Sequence, residues 1–146
     1  MKKLILSLTL SLTIGVTTLF ANEITVSDRV KQSFEKEFSK AQLVTWNNAG
    51  EFLKASFVWA GHRAEAYFNQ EGQLQGCARD IFYDQLPMAV MTSLDKKFAG
   101  ADVIDVNEIT NSEGTNYRLT LEVSGKKYRV KCDTAGNVVE TERLKK

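Results

Sequence analysis

The chain predicts an α+β fold in which one unit is written twice, each copy a helix packed on about four antiparallel strands. Three observations carry this reading. Val30, Ser33, Phe34, Lys36, Phe38 and Ala41 are echoed sixty residues later by Val90, Ser93, Leu94, Lys96, Phe98 and Ala101. With Asn111-Ser112-Glu113-Gly114 as an insert the offset becomes sixty-four, and Phe57, Gly61, Asn69, Gly72 and Leu74 then match Leu121, Gly125, Asp133, Gly136 and Val138. Within each copy, moreover, the apolar pattern changes from helical to alternating in the same order.

The elements follow in turn. Ser27 or Asp28 opens the first helix, because a short side-chain oxygen accepts a free backbone N–H there. Val30, Phe34 and Phe38 recur at four-residue spacing and so share one helix face. Pro87 falls in the first turn of the second helix, where its missing N–H costs nothing, and Val90, Leu94 and Phe98 form the matching stripe. Both stripes are expected to be core. Alternation then takes over, and the apolar sets it defines are all expected to lie under the helices. Val44 and Trp46, Ile104 and Val106 lead a first strand in each copy. Leu53, Ala55, Phe57 and Trp59 share the inner face of a second, as do Tyr117, Leu119, Leu121 and Val123. Ala64, Ala66 and Phe68 form a third, matched by Tyr128, Val130 and Cys132, and a fourth begins at Leu74 or Val138. Ala60-Gly61 and Gly125-Lys126 are read as the tight turns of antiparallel hairpins.

The chain has 146 residues. Met1-Lys2-Lys3, the apolar run Leu4 to Phe20 and the small Ala21 are laid out as a secretory signal peptide, so cleavage after Ala21 is expected. Residues 22–146 then form one domain built of repeats at about 26–82 and 84–144. Of 19 basic residues, 17 remain after cleavage against 18 acidic ones. That balance argues against a nucleic-acid binder, which needs a clear excess of Lys and Arg. No remaining segment is long and apolar enough to enter a membrane. A periplasmic location is expected, or secretion if the source lacks an outer membrane.

Candidate chemistry is sparse. His62 is a lone histidine read as a solvated turn residue, no Ser or Cys has a nucleophile signature around it, and glycine-rich phosphate loops are absent. No enzyme activity and no cofactor are expected. Asn69-Gln70-Glu71-Gly72 and Asp133-Thr134-Ala135-Gly136 offer too few carboxylates for calcium and read as turns closed by glycine. Cys77 and Cys132 fit no zinc spacing. Cys132 is expected inside and Cys77, three positions after Leu74, on the other face, which predicts two separate thiols. The polar face of the sheet is the better candidate. The helices cover only one face, and Arg63, Tyr67, Arg118, Lys127 and Arg129 fall on the other. Arg and Tyr are residue types that carry binding energy, which points to a protein or peptide partner. The competing account of this face is a solvated surface with cross-strand ion pairs of Arg118 or Arg129 with Glu122. A carrier holding an apolar ligand beside Trp46, Trp59 and Phe57 is the alternative function.

Phe34-x3-Phe38-x2-Ala41-x2-Val44-x-Trp46, Ala55-x-Phe57, Leu86-Pro87-x-Ala89-Val90, Tyr128 and Asp133-x2-Gly136 together resemble the exported PepSY-like, beta-lactamase-inhibitor-like proteins. The resemblance spans nearly all of residues 22–146 and rests on packing and turn residues. It implies a tandem helix-on-sheet repeat in the bacterial periplasm with no catalytic residues. The namesake inhibitor uses its sheet face to block an enzyme. The sequence departs from the pattern at Ser39, where a proline is frequent, and at Asn69, where an Asp is usual. No inhibitory contact residue matches, so inhibition of beta-lactamase is not carried over.

Overall fold

The structure is a computed structural model that describes residues 24–145; the expected signal peptide, residues 1–21, lies outside the described residues. Helix α1 (Asp28–Glu37) is followed by β1 (Gln42–Ala49), β2 (Phe52–Trp59), β3 (His62–Phe68) and β4 (Leu74–Asp80). A 3-10 turn at Tyr83–Gln85 leads into α2 (Met88–Lys97), then β5 (Asp102–Asn111), β6 (Gly114–Val123), β7 (Lys126–Asp133) and β8 (Val138–Arg143). The strands form one antiparallel sheet of eight in the order β1 to β8, with β4 and β5 joined directly at its centre.

The helices start and stop where local chemistry requires. Ser27 is the N-cap of α1 and its hydroxyl accepts from the Val30 N–H. Pro87 takes the N-cap of α2, one position before the expected first turn. Each helix ends at a phenylalanine, Phe38 or Phe98, whose N–H still donates to Phe34 O or Leu94 O. Each stripe then drops onto the sheet. Val30, Phe34 and Phe38 pack with Leu53, Ala55, Phe57, Ala64, Ala66 and Phe68. Val90 and Leu94 pack with Val106, Tyr117, Leu119, Leu121, Val130 and Cys132, closed by Ile81 and Leu86. Burying each such Val, Leu or Phe contributes about 1.5–3 kcal/mol relative to exposure.

Four expectations are corrected. The β6–β7 turn is Ser124-Gly125, one residue earlier than expected; it and Ala60-Gly61 both take positive φ at their two central residues, as a two-residue primed turn demands. Val44 and Ile104 remain 38% and 47% exposed, because the ladder slips by one residue between Gln42 and Thr45 and between Val103 and Asp105. A further slip between Tyr67 and Phe68 leaves Gln75 as the extra residue, so Leu74 and Cys77 face the same way despite their odd spacing. Cys77 therefore lies opposite the buried Ala66 and packs on the core under α1, not on the outer face. The parity argument for separate thiols fails, yet the thiols are separate: both cysteines are free and each belongs to a different core cluster. Finally, Arg129 pairs with Glu142 at 3.2 Å, not with Glu122.

The two glycine turns press against the helices. Asn69 Oδ1 accepts from Gln73 N–H, and Asp133 Oδ1 accepts from Ala135 and Asn137 N–H. Gly72 and Gly136 close these turns at φ +81° and +88°. A Cβ on Gly136 would sit 2.4 Å from Ala89 O, whereas one on Gly72 would meet its nearest atoms at 3.1 Å.

Candidate binding face

Directly opposed residues of an antiparallel pair project to the same side. Val58, Ser56 and Lys54 on β2 oppose Arg63, Glu65 and Tyr67 on β3, all on the side away from the helices. The next strand supplies Gly76 opposite Tyr67 and Ala78 opposite Glu65, and β5 then places Ile109 beside Ala78 and Asn107 beside Asp80. On β6 and β7 the same side carries Arg118 against Lys131, Thr120 against Arg129 and Glu122 against Lys127. Two small residues at the middle of the sheet thus stand between longer neighbours. The result is a depression with Gly76 and Ala78 in its floor.

Two recesses of about 510 and 580 Å³ meet there, sharing Glu65, Ala78 and Asn107. The first reaches from Leu43 and Thr45 across Arg63 to Asp105, and the second runs from Tyr67 to Arg118 and Glu113. Their walls are held by a polar network. Lys54 Nζ and Tyr67 OH each donate to a different oxygen of Glu65, both at 2.9 Å. Burial works against the charge of Glu65, but the hydrogen bonds from Lys54, Tyr67 and Ser56 and the Lys54 charge outweigh it, holding the carboxyl below its usual range. The same hydrogen bond raises the Lys54 ammonium, and burial, then the Glu65 bond, raises the Tyr67 phenol. Arg63 is fixed to Asp80 at 2.7 Å, and Asn107 Nδ2 donates to the other Asp80 oxygen at 2.8 Å. Among the described residues Arg118 forms no ion pair. This arrangement offers a rigid aromatic and a free guanidinium on opposite walls of a shallow groove.

Of the five residues expected from the sequence, Arg63, Tyr67 and Arg118 converge on this depression. Lys127 lies apart, in a recess of about 940 Å³ that it lines with Lys126, Arg143 and Lys145. Arg129 stands between these regions, held by Glu142. Sequence reasoning missed Gly76, Ala78, Asp80 and Asn107. The alternate small residues of β4 were the available signal. It also missed Arg79 and Glu108, an ion pair opposite Ala64 and Tyr117 and hence on the helix side, between the two cores.

His62 heads β3, with its ring edge-on to Phe82 at 5.5 Å. Among the described residues there is no group of three or more His, Cys, Asp or Glu able to hold a metal ion, and no helix is long and apolar enough to cross a membrane.

No protein-family model matches the chain, and no curated protein matches it in sequence. Solved structures do match. A BLIP-like protein from Bacteroides fragilis superimposes with a TM-score of 0.75 at 20% identity, covering 84% of this chain and 89% of that one. A DUF2874 family protein from Bacteroides ovatus gives 0.75 at 21%, covering 83% and 89%. A protein described as periplasmic, from Bacteroides eggerthii, gives 0.76 at 18%, covering 82% and 90%. None of these descriptions supports the PepSY part of the resemblance. At such identities the likeness speaks for architecture alone: this chain has the α+β fold of the BLIP-like and DUF2874 structures.

Proposed function

We propose that the protein is an exported, non-enzymatic binding module that recognises a protein or an extended peptide with the outer face of its sheet. In this reading residues 1–21 are a signal peptide, and residues 22–146 are one periplasmic domain made of two copies of a single unit. The periplasmic description of a structural neighbour supports the location. The observation that carries the function is the depression over Gly76 and Ala78, walled by Tyr67 and by Arg118 with no carboxylate of its own. A partner side chain entering there meets a held phenol and a cation, residue types enriched in binding hot spots. The carrier alternative is less favoured, since the core residues beneath both helices pack on one another and the recess beside Trp46 is small, about 280 Å³, and open.

The test is a pull-down from periplasmic extract followed by titration of the recovered partner. Arg118→Glu should change stability by only about 0.5 kcal/mol, as surface changes do, and Tyr67→Ala, which also removes the bond to Glu65, by about 1 kcal/mol, so the double variant should stay folded. It should weaken the complex by about 2 kcal/mol or more, and added salt should loosen the wild-type complex. Unchanged affinity in a folded double variant would move the binding surface elsewhere.

A further inference from the structure

We propose that the free edge of β1 takes up one more strand: an extended segment of another polypeptide, running antiparallel to β1 and seating an apolar side chain beside Trp46. The inference uses the equivalence of the two halves and is independent of the outer-face reading. Among the described residues, β5 is paired on both sides, by β4 and β6, whereas its counterpart β1 is paired by β2 alone. The chain leaving β4 shows what covers such an edge. Ile81 N–H donates to Val106 O at 3.0 Å, and the Ile81 side chain is buried in the core under α2. Trp46 occupies in β1 the place of Val106 in β5. Beside it an open recess of about 280 Å³ is walled by Phe34, Phe38, Val44 and Trp46, with Lys31 and Glu35 also lining it.

The two edges of the sheet differ in their protection. Edge strands commonly carry charge, which discourages pairing with other chains. β8 does so through Glu140, Glu142 and Arg143, but β1 reads Gln-Leu-Val-Thr-Trp-Asn-Asn-Ala and has no charge at all. Strand addition at such an edge draws affinity from backbone hydrogen bonds and selectivity from side-chain recesses. The occupant's direction and its apolar residue follow from Ile81.

The experiment is an NMR titration of the ¹⁵N-labelled protein, purified from the periplasm of an expressing host. The probe is a synthetic peptide of residues 76–82 carrying Cys77→Ser. Shifts are expected at the amides of residues 45–49 and at the Trp46 indole. Asn48 is exposed on the edge strand, where proline is tolerated, and alternation turns its N–H outward. Asn48→Pro in the protein, or Ile81→Asp in the peptide, should weaken binding roughly tenfold, as one lost backbone donor with a ring crowding the pairing edge, or a lost apolar contact, predicts. Thermal unfolding of Asn48→Pro checks that the fold is retained. Shifts confined to Tyr67 and Arg118, or none at millimolar peptide, would overturn the proposal. So would a concentration-dependent dimer abolished by Asn48→Pro, since a second copy would then be the occupant.

Discussion

The core under α1 and the core under α2 sit in matching places and are filled by different atoms. The first is aromatic: Phe34 meets Phe38, Trp46, Phe57 and Phe68 with ring centroids 4.9 to 6.3 Å apart. The second is aliphatic, with Leu94, Leu119, Leu121 and Val130 at its centre. The exchanges are reciprocal. Phe34, Phe57 and Phe68 face Leu94, Leu121 and Cys132 in the alignment, while the small Ala55 and Ala66 face the larger Leu119 and Val130. Each loss of volume at one position is offset at a neighbour, as close packing requires. The lesson is that this backbone demands a filled volume and an inward pattern, not particular side chains.

Length shows the same tolerance. β5 and β6 have ten residues each where β1 and β2 have eight. Both arms of the second hairpin are thus longer by two residues. Because strand facing has period two, an even extension leaves every core residue on its side.

The comparison breaks first at its largest residues. Phe34→Ala should cost about 4–5 kcal/mol and Leu94→Ala about 3 kcal/mol, since the aromatic cavity is larger; chemical denaturation measures both. Equal losses would mean that the first core relaxes around the gap. The glycine turns give the next effect. Gly136→Ala, with its Cβ forced onto Ala89 O, should cost about 3 kcal/mol, and Gly72→Ala about 1 kcal/mol. A reversed order would place the tighter helix contact in the first half.

The polar network has no counterpart in the second half, where Arg118, Thr120 and Lys131 replace Lys54, Ser56 and Tyr67. Glu65→Gln should cost about 1 kcal/mol at neutral pH, discounted because the Lys54 and Glu65 side chains are 27% and 40% exposed. The folded carboxyl titrates below its ordinary value of 4.5, so its contribution is present above that pH and is lost as pH falls through the depressed value. The gap between wild type and Glu65→Gln should therefore close in acid, and a gap that persists there would assign the loss to packing. Smallest of all is a spectroscopic effect. Burial and the hydrogen bond from Tyr83 OH to Asp95 push the Tyr83 phenol up to about 12. Tyr83→Phe should remove the last tyrosinate step of an absorbance titration, and survival of that step would break the tie between the 3-10 turn and α2.

Much of this was legible in the chain. Val30, Phe34, Val90 and Leu94 were read as core from spacing alone, and Leu53 to Phe57 and Leu119 to Leu121 from alternation, because helical and strand periods are local properties of the backbone. The outer face followed as its complement. What escaped were the bulges at Gln75, Leu43 and Ile104, since one extra residue in a ladder is defined only by the neighbouring strand. Cys77 was misplaced for that reason.

By itself the sequence determined the order of the elements, the two apolar stripes and the inward side of the strands. Tertiary structure alone decided that β4 pairs with β5, which turns two halves into one sheet and brings Tyr67, Gly76, Ala78 and Arg118 together. It also decided which carboxylates Arg63, Arg79 and Arg129 engage. The reason is physical: a side chain's facing follows from its immediate neighbours along the chain, whereas a depression or an ion pair depends on distances between strands that only the assembled ladder sets.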